Sequence, residues 1–255
     1  MNKRYLYILA AAFIALIAFK AQEKPTIYLI GDSTVRNSNK DTWGWGSLLA
    51  NYFDSTKVSI NNQAMAGRST RTFVKEGRWT KVLSMLKPGD YVMMQFGHNE
   101  GSKPDTTKGG YRGVFKGIGQ DSIQLTWKDG KIETVYTYGQ YLRKFIDEAR
   151  AKGATPIVLS MIPRNDWVDG KVKLADQDYG LWAKQVAEEK KATFINLNQI
   201  TADKYNMMGP EMVKPFFPNE HTHTSKEGAR VNAESVAEGL SLSAEKELIN
   251  YLLKK

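Results

Sequence analysis

Cysteine is absent from the 255 residues of this chain. Its absence excludes disulfide bridges, thiolate metal ligands and a lipid-modified cysteine behind an N-terminal leader. The fold must therefore rely on its hydrophobic core, for which the chain is long enough. Histidine is also scarce, with three residues, and two of them, His221 and His223, lie within Asn219–Ser225. A scarce proton-shuttling residue used twice in one short segment marks that segment as a candidate site.

Basic residues are in excess, but they form no dense patch. The formal net charge is +9, and removing the three charges of Lys3, Arg4 and Lys20 leaves +6 for residues 22–255. The remaining lysines are scattered and are not interleaved with aromatic residues, so we predict no nucleic-acid partner. A modest basic excess suits an acidic substrate.

The long apolar run near the N-terminus is too short for a typical membrane span. It covers 15 residues, Tyr5–Phe19, and follows Lys3 and Arg4. This layout is typical of a secretory signal peptide, whereas a spanning helix needs about 20 apolar residues. We predict a signal peptide at 1–21, one domain at 22–255 and a secreted or periplasmic protein with no stable membrane anchor after cleavage. An uncleaved N-terminal anchor is the alternative.

Five short runs rich in apolar or β-branched residues alternate with helical patterns. The runs are Thr26–Ile30, Lys57–Asn61, Asp90–Phe96, Pro156–Ser160 and Ala192–Leu197. The helical patterns are Thr42–Phe53, Trp79–Leu86, Tyr138–Lys152, Tyr179–Lys190 and a stretch after Ser225. This alternation predicts an α/β fold, a three-layer α/β/α sandwich on a parallel sheet. Chemistry is then expected in the turns that follow the strands.

Residues 101–137 interrupt the alternation. They are polar, and within them Ile123–Trp127 and Lys131–Tyr136 flank the turn sequence Lys128-Asp129-Gly130. This pattern predicts a β-hairpin in a loop inserted over the rim of the site.

A polar signature follows each of the first three predicted strands. Ser33 comes directly after the first strand, Gly67 lies in the loop after the second, and Asn99 closes Gly97-His98-Asn99 after the third. Taken singly, Ser33 is compatible with a helix cap, and Gly67 and Asn99 with ordinary turns. Together with Glu220, three residues before a histidine, they predict a nucleophile, hydrogen-bond donors and a proton shuttle at one sheet edge.

The four blocks resemble those of the SGNH (GDSL) hydrolase superfamily, which is named for its Ser, Gly, Asn and His residues. The segments Trp43–Gly46, Gly67–Ser69 and His221–Ser225 are similar, more narrowly, to rhamnogalacturonan acetylesterases. These are carbohydrate esterases that remove acetyl groups from pectin backbones. The resemblance implies a flavodoxin-like fold, hydrolysis without a metal or cofactor, and an acetylated polysaccharide or oligosaccharide as substrate.

The resemblance also implies roles for individual residues. Ser33 would be the nucleophile and His223 its base. The oxyanion would be held by the backbone N–H groups of Ser33 and Gly67 and by the side-chain amide of Asn99. The family usually has aspartate where this chain has Glu220. We predict that Glu220 orients His223, with a dyad of Ser33 and His223 as the alternative.

Five further residues are candidates for substrate contact. Arg68 and Arg71 would face uronate carboxylates, and Trp45 would stack on a sugar ring. His98 would form a hydrogen bond with the substrate, and His221 would line the rim. Core packing is the alternative for the tryptophan, and a structural role for the two histidines. A zinc site on the paired histidines lacks a convincing third ligand, so we predict no metal.

The sequence thus predicts a serine esterase that removes O-acetyl groups from an acidic plant polysaccharide through an acetyl-enzyme. One alternative is an SGNH esterase for another acetylated glycan, a lipid or a thioester. Another is a carbohydrate-binding protein on a decayed hydrolase scaffold. The polar loop at 101–137 argues against a lipase, and the intact Ser, Gly and Asn blocks argue against the binding protein.

Overall fold

The computed structural model of the protein describes residues 24–37, 39 and 41–253. The predicted signal peptide at 1–21 lies outside these residues. Within the described ranges, no helix is both long enough and apolar enough to cross a membrane.

The secondary structure alternates between strands and helices. In chain order, the strands of the described residues are β1 Thr26–Gly31, β2 Ser59–Asn62, β3 Tyr91–Gln95, β4 Ser122–Thr126, β5 Ile132–Tyr136, β6 Thr155–Leu159, β7 Trp167–Val168, β8 Lys171–Val172 and β9 Thr193–Ile195. The α-helices are α1 Thr70–Lys75, α2 Arg78–Met85, α3 Tyr138–Ala151, α4 Tyr179–Glu189, α5 Leu197–Met208, α6 Pro210–Val213, α7 Lys226–Ser241 and α8 Lys246–Ile249.

A five-stranded sheet in the order β2-β1-β3-β6-β9 forms the centre of the fold. Every neighbouring pair of its strands is parallel. This is the strand order of a doubly wound, flavodoxin-like sheet, and its order reverses between β1 and β3. The predicted fold class is confirmed, and the switch point lies at the two strands followed by Ser33 and Asn99.

The side chains of β1 show why its apolar run is continuous. Tyr28 and Ile30 pack into the core on one face, whereas Ile27 and Leu29 pack into the core on the other. Since successive strand residues point to opposite faces, a strand covered on both sides needs apolar residues at every position. Helices α1 to α4 cover the first face, and α7 and α8 help to cover the second, which gives three layers.

The prediction of one α-helix at Thr42–Phe53 is wrong. The segment forms two 3₁₀ helices, Trp45–Ser47 and Leu49–Tyr52. The backbone N–H groups of Trp45 and Gly46 donate to carbonyls of the turn after β1, at 2.9 and 3.0 Å. These two N–H groups bond to the turn after β1 and are therefore not available for hydrogen bonds within a continuous α-helix.

The predicted hairpin is present, because β4 and β5 pair antiparallel. An ion pair of 2.8 Å between Arg71 on α1 and Glu133 on β5 fastens it to the sandwich. Helices α1, α5 and α6 and the short β7–β8 pair were not predicted. The pair β7–β8 follows the carboxyl end of β6, at the same sheet edge as the site residues.

Candidate active site

The turn after β1 presents Ser33 at the carboxyl edge of the sheet. Asp32 Oδ1 accepts hydrogen bonds from the backbone N–H of Thr34 at 2.8 Å and from its hydroxyl at 2.7 Å. A β-carbon on Gly31 would lie 2.5 Å from the carbonyl oxygen of Gln95, so only glycine fits there. The polar residues around Ser33 therefore stabilise a tight turn and do not cap a helix.

Ser33, His223 and Glu220 form a hydrogen-bonded row. Ser33 Oγ lies 2.8 Å from His223 Nε2, and Glu220 Oε1 lies 2.8 Å from His223 Nδ1. A carboxylate beside Nδ1 selects the tautomer with its proton on that nitrogen, which leaves Nε2 free to accept the serine proton. The geometry suits a nucleophile, a base and an orienting acid, with glutamate in the place of aspartate.

Glu220 is itself held by its own loop. Its oxygens accept the backbone N–H groups of Thr222 at 2.9 Å and of His223 at 2.5 Å. Burial raises the pKa of Glu220, but these hydrogen bonds and the charge of His223 outweigh burial and lower it below its ordinary value. The carboxylate is therefore ionised at neutral pH, as an acid that supports an imidazolium must be.

Gly67 and Asn99, the predicted oxyanion donors, lie in two neighbouring loops that contact each other. Gly67 has a φ of +74°, a conformation that suits glycine. The Nδ2 atom of Asn99 donates to the carbonyl of Arg68 at 3.1 Å, next to Gly67. An amide nitrogen carries two hydrogens, so the second is available to a ligand.

Arg112 is a further residue of the candidate site, and the sequence analysis did not predict it. Its Nη1 donates to Asn99 Oδ1 at 2.7 Å, and a β-carbon on Gly67 would lie 3.9 Å from the same nitrogen. Arg112 belongs to the inserted loop and is exposed. No local pattern marks it, because its contact with Asn99 exists only once the insertion folds over the sheet edge.

A buried acid also lies beneath Asn99. Glu100 is fully buried, and it accepts the backbone N–H of Asn99 at 2.9 Å and that of Thr70 at 2.8 Å. Burial raises the pKa of Glu100 to about 8, against the lowering effect of these hydrogen bonds. Burial likewise raises the pKa of Asp32 to about 6. Both acids hold backbone in place beneath the site.

The structure corrects the prediction that Trp45 contacts substrate. Trp45 is 1% exposed, and its indole N–H donates to Gln95 Oε1 at 2.9 Å. Gln95 Nε2 donates in turn to the hydroxyl of Thr34 at 2.7 Å, and that hydroxyl bonds to Asp32. Trp45 is therefore the first member of a buried hydrogen-bond chain that ends beneath the nucleophile.

The prediction that Arg71 contacts substrate is also wrong. Its side chain is 1% exposed and bonds to both carboxylate oxygens of Glu133, at 2.8 and 2.9 Å. Arg68 is partly exposed, but its guanidinium pairs with Glu76 at 2.9 Å, and its carbonyl is what contacts Asn99. Both arginines were predicted to lie near the site because they follow β2. Packing directs their guanidinium groups to Glu133 and Glu76 instead of to a substrate.

The two remaining histidines lie on either side of Arg164. His221 Nδ1 is 2.9 Å from Asp166 Oδ1, and its side chain is 48% exposed at the rim. Both ring nitrogens of His98 are buried, and burial lowers the pKa of His98 to about 3, so its ring is neutral. Among the described residues, no group of three or more His, Asp or Glu side chains is arranged to hold a metal ion.

Comparison with known proteins shows the family of this chain. A model of the GDSL-like lipase/acylhydrolase family matches residues 29–231. The chain belongs to this family, and it is a carboxylic ester hydrolase; the predicted SGNH resemblance is confirmed.

Within this family, the chain is similar to proteins named rhamnogalacturonan acetylesterases. The chain is 35% identical to the rhamnogalacturonan acetylesterase of Emericella nidulans, over 82% of each protein. It is 32% identical to the rhamnogalacturonan acetylesterase RhgT of Bacillus subtilis, over 84% of this chain and 88% of that protein.

Solved structures share the fold. The structure of YxiM from Bacillus subtilis superposes with a TM-score of 0.67 at 26% identity, over 86% of this chain and 56% of that chain. The acetylxylan esterase Axe2 of Geobacillus stearothermophilus superposes with a TM-score of 0.56 at 17% identity, over 85% of this chain and 94% of that chain. At 17% identity the latter shows the fold alone.

Proposed function

We propose that the protein removes O-acetyl groups from an acidic plant polysaccharide of the pectin type, with rhamnogalacturonan as its substrate. The observation that carries the proposal is the hydrogen-bonded row from Ser33 through His223 to Glu220. Relatives at 32–35% identity carry the name of rhamnogalacturonan acetylesterase, which supports the substrate class.

The chemistry is a two-step acyl transfer. Ser33 Oγ attacks the acetyl carbonyl carbon while His223 Nε2 takes the serine proton. The oxyanion binds the Asn99 amide and the backbone N–H groups of Ser33 and Gly67. When the carbon–oxygen bond to the sugar breaks, His223 returns the proton to the sugar oxygen. Water then attacks the acetyl-serine, with His223 as base again, and releases acetate.

Acetate release tests the proposal. Wild-type protein is expected to release acetate from acetylated rhamnogalacturonan faster than from acetylated xylan, and to hydrolyse p-nitrophenyl acetate faster than long-chain p-nitrophenyl esters. Ser33→Ala should abolish all of these activities while the melting temperature stays near that of wild type. Ser84→Ala, which changes an exposed serine on α2, is the matched control.

Three results would contradict the proposal. Full activity of Ser33→Ala would remove the nucleophile, and preference for long acyl chains would favour a lipase. Binding of the glycan by the wild-type protein without acetate release would favour a carbohydrate-binding protein.

We also propose that the protein is exported, on the basis of the charged and apolar pattern at 1–21. N-terminal sequencing of the protein recovered from its native cells tests this, with a start near residue 22 expected. A mature protein that begins at Met1 would contradict it.

A further inference from the structure

Glu100 is a buried acid that the proposed chemistry of Ser33 and His223 does not use. It directly follows Asn99, and its exposed fraction is 0%. Acidic side chains are almost never fully buried unless their oxygens are paired with donors. The partners of the Glu100 carboxyl group therefore indicate what the acid does at this position.

The two oxygens of Glu100 bond to two different loops. Oε2 accepts the backbone N–H of Asn99 at 2.9 Å, in the loop that follows β3. Oε1 accepts the backbone N–H of Thr70 at 2.8 Å. Thr70 lies three residues after Gly67, where the loop that follows β2 enters α1. One carboxyl group thus bridges the loops that carry Asn99 and Gly67, two of the three predicted oxyanion donors.

The backbone of Glu100 bonds to a third loop. Its carbonyl accepts the N–H of Val114 at 3.2 Å. Val114 lies two residues after Arg112 in the inserted loop, and Arg112 donates to the side chain of Asn99. Glu100 is therefore the junction of the three loops that surround the Asn99 amide.

A carboxyl group suits this junction better than an amide does. Each of its oxygens has a lone pair for a backbone N–H in either protonation state, whereas the NH2 group of a glutamine side chain can only donate. In Glu100→Gln, the NH2 group would face the N–H of Thr70 or that of Asn99, whichever way the amide turned. One bond between the loops would be lost, and two donors would face each other in a buried place.

We propose that Glu100 is a positioning residue for the oxyanion site, whose carboxyl group sets the distance between the loops of Asn99 and Gly67. The inference rests on the proposed esterase mechanism, in which the N–H groups of these two residues bind one oxyanion. Because the oxyanion forms only as the carbonyl is attacked, the bridge acts on the transition state more than on substrate binding. Its loss is therefore expected in kcat and not in KM.

The kinetics of Glu100→Gln with p-nitrophenyl acetate test the proposal. We expect kcat to fall about 10- to 100-fold with KM within about twofold of wild type, since a shift of about 1 Å in a catalytic group can cost about 100-fold. Glutamine has nearly the volume of glutamate and buries no charge, so the variant is expected to fold, which urea unfolding checks. If it does not fold, Glu100→Asp decides the question. Its side chain is too short to bond both loops, so kcat should again fall with KM unchanged.

Asp90, at the opposite end of β3, offers a matched control. It is also buried, and its two oxygens accept the backbone N–H groups of Thr26 and Lys87, each at 2.8 Å. Asp90→Asn breaks the same kind of bridge far from the site. It is expected to lower the free energy of unfolding and to leave kcat within about twofold of wild type. A fall in kcat that is confined to Glu100→Gln then reports positioning and not a weaker fold.

A double variant shows whether Glu100 acts through Asn99. Glu100→Gln should cost less in the Asn99→Ala background than in wild type, because one of the donors that it positions is already absent. Fully additive losses would overturn the inference. An unchanged kcat in Glu100→Gln would do so too, as would a loss in Asp90→Asn as large as that in Glu100→Gln.

Failure of the proposed function would give different results. It would appear as full activity of Ser33→Ala, or as no acetate release from the glycan by the wild-type enzyme. A normal kcat in Asn99→Ala would refute the oxyanion role of Asn99 and this inference with it. An enzyme that loses activity with Ser33→Ala and Asn99→Ala, but not with Glu100→Gln, keeps its mechanism and loses only the role of Glu100.

Discussion

Arg112 Nη1 lies 2.7 Å from Asn99 Oδ1, so a residue of the inserted loop determines which way the Asn99 amide faces. The amide nitrogen points to the carbonyl of Arg68, 3.1 Å away. With its oxygen occupied and one N–H used, Asn99 has one N–H left for the proposed contact with the oxyanion. Arg112 is therefore a positioning residue for Asn99.

We expect Arg112→Gln to lower kcat for p-nitrophenyl acetate about tenfold. A charged hydrogen bond contributes about 1.5–3 kcal/mol, and the lower end applies because Arg112 is exposed. Asn99→Ala removes the donor itself and should cost about 100- to 1000-fold. If Arg112 acts through Asn99, the double variant is no slower than Asn99→Ala alone; additive losses would show an independent role.

Glu220→Gln is expected to lower kcat about 1000- to 10,000-fold, as amide replacements of triad acids do when they favour the wrong histidine tautomer. Because the pKa of Glu220 lies below its ordinary value, its carboxylate stays ionised from pH 6 to 8, and the loss should be present throughout this range. Glu220→Asp should lose less activity than Glu220→Gln, since it keeps the charge. A loss below tenfold for Glu220→Gln would favour a dyad of Ser33 and His223.

Trp45→Phe is expected to lower the melting temperature and to leave KM unchanged. The change leaves Gln95 Oε1 buried without its donor, at a cost of about 1–3 kcal/mol. For a chain of this size each kcal/mol shifts the melting temperature by roughly 2–4 °C. Any loss of activity should appear in kcat, through the chain that ends at Asp32. A raised KM for the glycan with an unchanged melting temperature would restore Trp45 as a substrate contact.

The ion pair between Glu133 and Arg71 predicts a pH-dependent stability. Burial raises the pKa of Glu133, but its bonds to Arg71, Lys75 and Trp127 outweigh burial and hold the pKa at about 2, below the ordinary 4.5. A lowered pKa contributes stability that is present above about 4.5 and is lost as the pH falls towards about 2. Glu133→Gln should therefore lose about 3 kcal/mol of unfolding free energy at pH 7, and the difference from wild type should shrink between pH 4.5 and 3.

Urea unfolding of Glu133→Gln and wild type at pH 7 and at pH 3 measures this difference in the free energy of unfolding. Glu227→Gln breaks the exposed pair with Arg230 on α7 and should change the free energy of unfolding by less than about 1 kcal/mol. An effect of Glu133→Gln no larger than this control, or one that grows as the pH falls, would contradict the prediction.

Much of the fold could be predicted because its signals are local. Continuous apolar runs such as Thr26–Ile30 occur where a strand is covered on both faces, and the turns after them carried Ser33 and Asn99. The prediction failed at Thr42–Phe53, where bonds from Trp45 and Gly46 to a distant turn replace those of an α-helix. Periodicity within the segment holds no information about such a partner.

The sequence by itself determined the strands of the sheet, the place of Ser33 and Asn99 after two of them and the order of the four blocks, because each depends on neighbours in the chain. Only the tertiary structure decided which polar side chains face a ligand. Arg71 and Arg164 both follow strands, yet Arg71 is buried against Glu133 while Arg164 lines a cavity beside His221. Their partners lie 62 and 57 residues away, and only packing of the insertion and of the loops over the sheet edge brings them together.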